Sequence, residues 1–360
     1  MKRLPTVLLP VSILAVLALS IFGCAGTGEI DATGPSAGGK TVLNGAGASF
    51  PYPLYSKWFS EYSKLHPETQ INYQSIGSGG GIQQLKAGTV DFGASDAPLS
   101  DRDMAGFPGE VLHLPTVAGA VVVAYNLELE QPLRLDGITI SAIYRGEIQR
   151  WNDPALRELN PGWALPDMLI APAFRADGSG TTYIFTNFLS AACKNWAAEI
   201  GAGKSVSWHT GMGGKGNEGV AGLVTQTPGA VGYVELAYAE QNNLPAAHIK
   251  NPAGNFIEPG LESTTAAAAG AVERMQKDVR SLIVNSPGEN AYPIAGFTYL
   301  LVYDKQEDAE KGRALVSMLE WAMEKGQEYA PSLLYAPLPP EVVSINEGAI
   351  EGIELPQAAQ

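Results

Sequence analysis

The sequence predicts an α/β fold. Short apolar runs of strand length alternate with longer runs whose apolar residues recur at helical spacing. About 320 residues remain once a leader and a tether are set aside, enough for two domains or one large one with a substantial core. Apolar residues make up 45% and charged residues 17%, the balance of an ordinary soluble protein.

Taken in order, the chain opens Met1-Lys2-Arg3 and then runs almost uncharged from Leu4 to Phe22 before Gly23-Cys24. A basic start followed by an apolar stretch reads as an export signal over residues 1–23. The stretch is also about long enough to span a bilayer, but Pro5 and Pro10 weaken it as a retained membrane helix. IFGC resembles the lipobox of bacterial lipoproteins, which implies a lipid on Cys24, with Phe22 an unusual occupant and simple secretion the alternative.

Residues 24–41, rich in Gly, Ala, Ser and Thr, read as a flexible tether. Inside it GPSAGGKT, Gly34 to Thr41, matches the phosphate-loop pattern G-x-x-x-x-G-K-[ST]. That loop works only where a strand leads into it and a helix leaves it. Here no strand precedes Gly34, and Val42-Leu43-Asn44-Gly45 starts a strand, so the match is one of composition. AEIGAGKS, Ala198 to Ser205, fails the same test, because a helical run precedes it and VSW follows.

Beyond Thr41, INYQSI (71–76), VDFGAS (90–95), VLHLPTVAGAVVVAYN (111–126), MLIAPAF (168–174) and AVGYV (230–234) read as strands. PLYSKWFSEYSKL places Leu54, Trp58, Tyr62 and Leu65 on one helical face, as core. Thr181 to Ile200 reads as one broadly buried helix, and ALVSMLEWAMEKG as an amphipathic helix near the C-terminus.

The formal net charge is −14, and loss of Lys2 and Arg3 with the leader takes it to −16. Such a chain lacks the basic patches that bind nucleic acid. With Cys24 lipidated, Cys193 is the only thiol left; it lies in the apolar run FLSAAC and reads as a buried structural residue. His66, His113, His209 and His248 have no His or Cys at ligand spacing, so no metal and no cofactor are expected. G-x-S-x-G is absent, which leaves no serine-hydrolase elbow.

Three places combine a strand end, small residues and a helix start. GAGASFPYP presents Ser49 and Phe50; IGSGGGIQQL presents Ser78, with Ile82 and Leu85 on its apolar side; RADGSGTTYIF presents Ser179, Gly180 and Thr181. Each supplies unsatisfied amides and a hydroxyl, and glycine allows close approach to the backbone. One such loop is usually only a helix cap. Three of the same chemistry, one carrying Arg175, point to a single oxyanion site. The Arg175 guanidinium is a planar fork suited to tetrahedral oxyanions, and Asp177 can hold it in place or simply cap the next turn.

GAGASFPYPLYSKW, INYQSIGSGGGIQQL, VDFGASDAPLSD, IYRGEIQRWNDP, RADGSGTTYIFTNFL, GMGGKGNEGVAG and PGAVGYVELAYAEQNNL together resemble the substrate-binding protein of the bacterial ABC-type phosphate importer, the Pst system. The similarity runs from about Leu43 into the C-terminal region. It implies a type II periplasmic-binding-protein fold, with two α/β lobes joined by a hinge and the ligand between them. The first lobe would combine residues 42–118 with 294–360, and the second would be 119–293. It also implies a non-enzymatic protein that binds inorganic phosphate and delivers it to a membrane permease and its ATPase, anchored by its lipid at the periplasmic face or cell surface.

By the resemblance the phosphate ligands are Ser49, Phe50, Ser78, Asp96, Arg175, Ser179, Gly180 and Thr181, supported by Asp177. Phe50 and Gly180 would act through main-chain N–H groups. Ser49 stands where the family pattern has threonine, and Gly79 where a serine is frequent; neither change removes a ligand. Asp96 in GASDAP is a carboxylate facing an anion, which repels it unless the anion donates a proton. Hydrogen phosphate has that proton and sulfate at neutral pH does not, so Asp96 would reject sulfate. Arsenate, which can carry the same proton, is a same-fold alternative. An exported phosphatase using Arg175 and the serines is an alternative of another class, without a metal or a placed base.

Overall fold

The computed structural model describes residues 40–356. The expected signal over residues 1–23, Cys24 and all but the end of the tether and of GPSAGGKT lie outside them. Thr41 opens a strand, in keeping with the rejected phosphate loop. AEIGAGKS begins within the last turn of the short helix Lys194–Glu199 and runs into irregular backbone, again without the required context.

Eleven strands are present among the described residues: β1 (Thr41–Gly47), β2 (Thr69–Ser75), β3 (Phe92–Ser95), β4 (Val111–Tyr125), β5 (Arg134–Leu135), β6 (Ala171–Arg175), β7 (Met212–Gly214), β8 (Ala230–Glu235), β9 (His248–Lys250), β10 (Phe256–Ile257) and β11 (Ala295–Tyr303). Eight of them form one sheet in the order β2-β1-β3-β11-β4-β8-β6-β7, and β10-β9-β5 form a small separate one. Helices cover the large sheet on its flanks, so its central strands are buried on both faces and their sequences run apolar rather than alternating.

β4 joins the two halves. Val111 to Ala120 pair antiparallel with β11, and Val121 to Tyr125 pair antiparallel with β8. One half gathers β1, β2 and β3 in parallel around β11; the other gathers β8, β6 and β7 in parallel. The β4–β11 register shifts between Thr298 and Tyr299, opposite Val117 and Pro115, which leaves Thr116 as the extra residue. Proline has no N–H to give to the ladder, so a bulge falls there. Thr298, whose side chain reaches the site described below, lies at that irregularity.

β11 is absent from the sequence expectation although its run, AGFTYLLVY, is as apolar as any other. The strand from 168 is shorter than expected: Leu169 makes only an isolated bridge with Arg150, and Met168 and Leu169 are exposed. Trp58 and Tyr62 are buried as core, but Leu65, in the last turn of the helix Tyr52–Leu65, is 64% exposed. The single helix expected over 181–200 is two, Gly180–Ala192 and Lys194–Glu199, separated by extended backbone at Cys193. No glycine or proline announces that break. Beyond it Trp196 is fully buried beside Trp208, and packing overrides propensity. Cys193 itself is buried and unpaired. Among the described residues no helix is long and apolar enough to cross a membrane.

Candidate functional site

The three loops singled out by composition meet between the halves of the sheet. β1 ends at Gly47, whose φ of +151° and close approach to the Ala94 carbonyl both require glycine, and the chain then turns through Ser49 and Phe50 into the helix Tyr52–Leu65. β2 leads through Gly77 (φ +85°) to the helix Ser78–Lys86. β6 ends at Arg175 and leads to the helix Gly180–Ala192. Gly79 N–H donates to the Gly178 carbonyl at 2.8 Å, and Gly180 N–H donates to Ser78 Oγ at 3.1 Å. Parallel strands bring their C-terminal ends, and therefore these loops, to the same edge, where α/β sheets bind ligands.

All eight expected ligands are buried: Ser49 at 1% exposure, Asp96 at 3% and Arg175 at 4%, with Ser78, Ser179 and Thr181 fully enclosed. The guanidinium of Arg175 is held by Asp177, Nε donating to Oδ1 at 2.8 Å and Nη2 to Oδ2 at 2.5 Å, while Nη1 donates to Thr181 Oγ1 at 3.2 Å. Three of its five N–H groups are thereby committed and two remain. Asp177 also accepts from Gly216 N–H at 3.1 Å, so its work is orienting the arginine. Burial pulls Asp177 up, but the hydrogen bonds and charge of Arg175 outweigh it and leave the carboxyl below its usual range. Burial likewise opposes the charge on Arg175, and Asp177 more than restores it.

Asp96 follows β3. Its Oδ1 accepts from Thr298 Oγ1 at 2.8 Å, and its N–H donates to Ser78 Oγ at 3.2 Å. Burial pushes its carboxyl up to about 7, against the lowering pull of the Thr298 hydrogen bond and of Arg175. A buried carboxyl that changes charge near neutrality is therefore aimed among hydroxyls and an arginine. Ser179 Oγ accepts from Thr182 N–H at 3.0 Å as a helix cap, which leaves its own proton free.

Several residues that matter to this geometry were not singled out from sequence. Asn217, the second residue of the helix Gly216–Gln226, donates from its backbone N to Ser49 Oγ at 3.1 Å and from Nδ2 at 2.9 Å. The same Nδ2 lies 3.2 Å from Thr181 Oγ1, and Asn217 Oδ1 accepts from Glu235 N–H at 3.0 Å. Tyr238 OH donates to the Ser49 carbonyl at 2.6 Å. Because the peptide is trans, that bond directs the Phe50 N–H the other way. Tyr335 OH donates to the Phe50 carbonyl at 2.6 Å and lies 2.9 Å from Glu235 Oε2. A hydroxyl has one proton, so with it on Phe50 the second bond needs a proton from Glu235. Burial pushes the Glu235 carboxyl well above its ordinary value, in keeping with a neutral acid. The Asn and Glu lie inside GKGNEG and YVELAY, but nothing local in those strings reveals a partner 168 residues earlier for Asn217 or 100 residues later for Glu235. No group of three or more His, Cys, Asp and Glu among the described residues is placed to hold a metal ion.

The PBP superfamily domain profile matches residues 34–319. The "Phosphate-binding protein PstS" of Xylella fastidiosa (strain 9a5c) is 42% identical over 340 residues, covering 91% of this chain and 93% of its own. That of Pasteurella multocida is 44% identical over 304 residues, covering 84% and 88%. Among solved structures, a "Phosphate-Binding Protein from Stenotrophomonas maltophilia" aligns over 88% of this chain and all of its own, with a TM-score of 0.65 and 18% identity. A high affinity periplasmic phosphate-binding protein (PfluDING), bound with phosphate, aligns over the same shares with a TM-score of 0.68 and 19% identity. These two speak for the fold, two α/β lobes of the periplasmic-binding-protein type. The curated relatives say more: this chain belongs to the family of PstS phosphate-binding proteins.

Proposed function

We propose that this protein binds inorganic phosphate in the cleft between its lobes and delivers it to an ABC-type phosphate permease. The observation that carries the reading is the convergence of Arg175, Ser49, Ser78, Ser179 and Thr181 around the buried carboxyl of Asp96. The family named above supports the same ligand. Phe50 supplies a main-chain N–H group, the Gly180 N–H is shared between Ser78 Oγ and the anion, the hydroxyls and the two free N–H groups of Arg175 supply the rest, and Asp96 accepts the proton that phosphate carries. No bond in the ligand is made or broken. Charge-assisted hydrogen bonds contribute about 1.5–3 kcal/mol each, so the donors facing the anion suffice for tight capture.

Lobe boundaries at 42–118 plus 294–360 and 119–293 belong to this proposal. The change of partner along β4 after Ala120 and the start of β11 at Ala295 support them. Export, with the leader removed and Cys24 lipidated to hold the protein at the membrane, is part of the same proposal. Cys24→Ser should move the protein from the membrane fraction to the soluble one; continued sedimentation with membranes would remove the anchor.

Calorimetric titration of the full-length protein, freed of bound anion, tests the central claim. One-to-one binding of phosphate with no heat from sulfate is expected. Folded protein that gives no phosphate heat refutes it.

A further inference from the structure

We propose that Asn217 is a positioning residue that forces the hydroxyls of Ser49 and Thr181 to act as hydrogen-bond donors toward the anion. The proposal rests on the phosphate reading above and adds the group that sets the polarity of the site. A serine or threonine hydroxyl has one proton and two lone pairs, so it can turn to accept as readily as to donate. An anion needs donors only. A hydroxyl whose two lone pairs are both filled by protein N–H groups has no choice left.

The structure fills them. Ser49 Oγ receives the backbone N–H and the side-chain Nδ2–H of the same residue, Asn217, at 3.1 and 2.9 Å. Thr181 Oγ1 receives Arg175 Nη1 and the second hydrogen of Asn217 Nδ2, both at 3.2 Å. One amide nitrogen thus spends both hydrogens on the two hydroxyls. The orientation of that amide is fixed by chemistry as well: Glu235 N–H can only donate and sits 3.0 Å from Asn217 Oδ1, so the oxygen faces Glu235 and the nitrogen faces the hydroxyls. Asn217 is fully buried, as are both of its hydroxyl partners. Ser78 is treated alike by different means, its Oγ receiving the N–H groups of Asp96 and Gly180.

The bonds also span the cleft. Ser49 follows β1 in one half of the sheet, while Thr181 and Asn217 follow β6 and β7 in the other. Ser49 is therefore locked as a donor only when the halves are together, which ties the polarity of the site to its closing.

The test is a thermodynamic cycle on phosphate affinity in the full-length protein. Asn217→Leu, close in size and unable to donate, is expected to weaken phosphate binding at least about tenfold in the wild-type background. In a Ser49→Ala, Thr181→Val background, which has no hydroxyls left to orient, the same substitution is expected to cost less than about twofold. A role in packing alone would give equal losses in both backgrounds, and that result overturns the proposal. If Asn217→Leu gives no cooperative melting transition, Asn217→Ser is scored by the same two losses. Wild-type protein that binds phosphate with additive variants sinks Asn217 alone; wild-type protein that binds none sinks the phosphate reading and this one with it.

Discussion

Sulfate rejection by Asp96 should depend on pH in a way that phosphate binding does not. Burial holds the Asp96 carboxyl at about 7. Its folded value lies above the ordinary 3.8, so the proton is on the carboxyl below about pH 7 and leaves as pH rises through it. A protonated Asp96 can donate to a sulfate oxygen; an ionised one meets it oxygen to oxygen with no proton between. Sulfate binding therefore selects the protonated fraction, and the apparent dissociation constant is the intrinsic one divided by that fraction. With a pKa of about 7 the fraction is about 0.9 at pH 6 and about 0.01 at pH 9, so sulfate affinity should fall about 90-fold between them. Phosphate keeps a proton of its own across that range and lacks this dependence. Competition of sulfate against a fixed phosphate load at pH 6, 7, 8 and 9 reads the ratio directly. Asp96→Asn, whose amide donates at every pH, should bind sulfate better relative to phosphate and show a flat profile. A wild-type selectivity that does not move with pH, or a variant with the wild-type ratio, refutes the reasoning.

Arg175→Ala should cost at least ~2 kcal/mol of phosphate affinity, because it also strands the buried Asp177; a near-silent change in a titration would show that the guanidinium does not reach the anion. Gly180→Ala would place a methyl 2.5 Å from Asp96 Cβ and 2.6 Å from Ser78 Oγ, across the cleft. Overpacking of that kind costs about 1–3 kcal/mol, or about 5- to 150-fold in phosphate affinity, while the melting temperature without ligand stays near wild type. Wild-type affinity in that variant would show that the lobes need not meet there. Glu235, neutral in the fold and ordinary when unfolded, takes up a proton on folding above about pH 4.5, so stability should fall with rising pH by about 1.4 kcal/mol per unit until the folded value is reached. Urea denaturation at pH 5, 6 and 7 should show a shallower slope in Glu235→Gln; identical slopes would mean that Glu235 is ionised beside Tyr335.

How far the sequence could be read depends on the range of the interactions. The Ser49, Ser78 and Ser179 loops were legible because capping and close backbone approach are local chemistry, written within a few residues of each helix start. Asp177 was legible for the same reason, two residues from the arginine it holds. Thr298 was not: it reaches Asp96 from a strand 202 positions further on, and only the antiparallel pairing of β11 with β3 brings them together. Asn217, Tyr238 and Tyr335 failed in the same way, each partnered across the cleft. The Cys193 break was invisible because no local breaker residue causes it. Resemblance implied a ligand set and the two-lobe fold but not the residues that orient these loops, since a family motif records identities and not bonds.

An acidic protein that captures a divalent anion has to do so with local donors. A net charge of −14 repels the ligand at long range, though salt screens it beyond a Debye length of about 8 Å. Inside the cleft the balance reverses. Direct bonds between the lobes include the neutral pairs Gly79 to Gly178, Gly180 to Ser78, Asn217 to Ser49, Tyr238 to Ser49 and Tyr335 to Glu235, with one partly exposed ion pair, Arg280 to Asp101. At about 0.5–1.5 kcal/mol each they stabilise the closed form modestly, against the freedom lost at the hinge. Each donor turned on the anion contributes about twice that, and from both lobes at once. Closure is therefore expected to draw more on the ligand than on the protein's own contacts. A permease that recognised the closed form would then receive phosphate and leave the empty protein free.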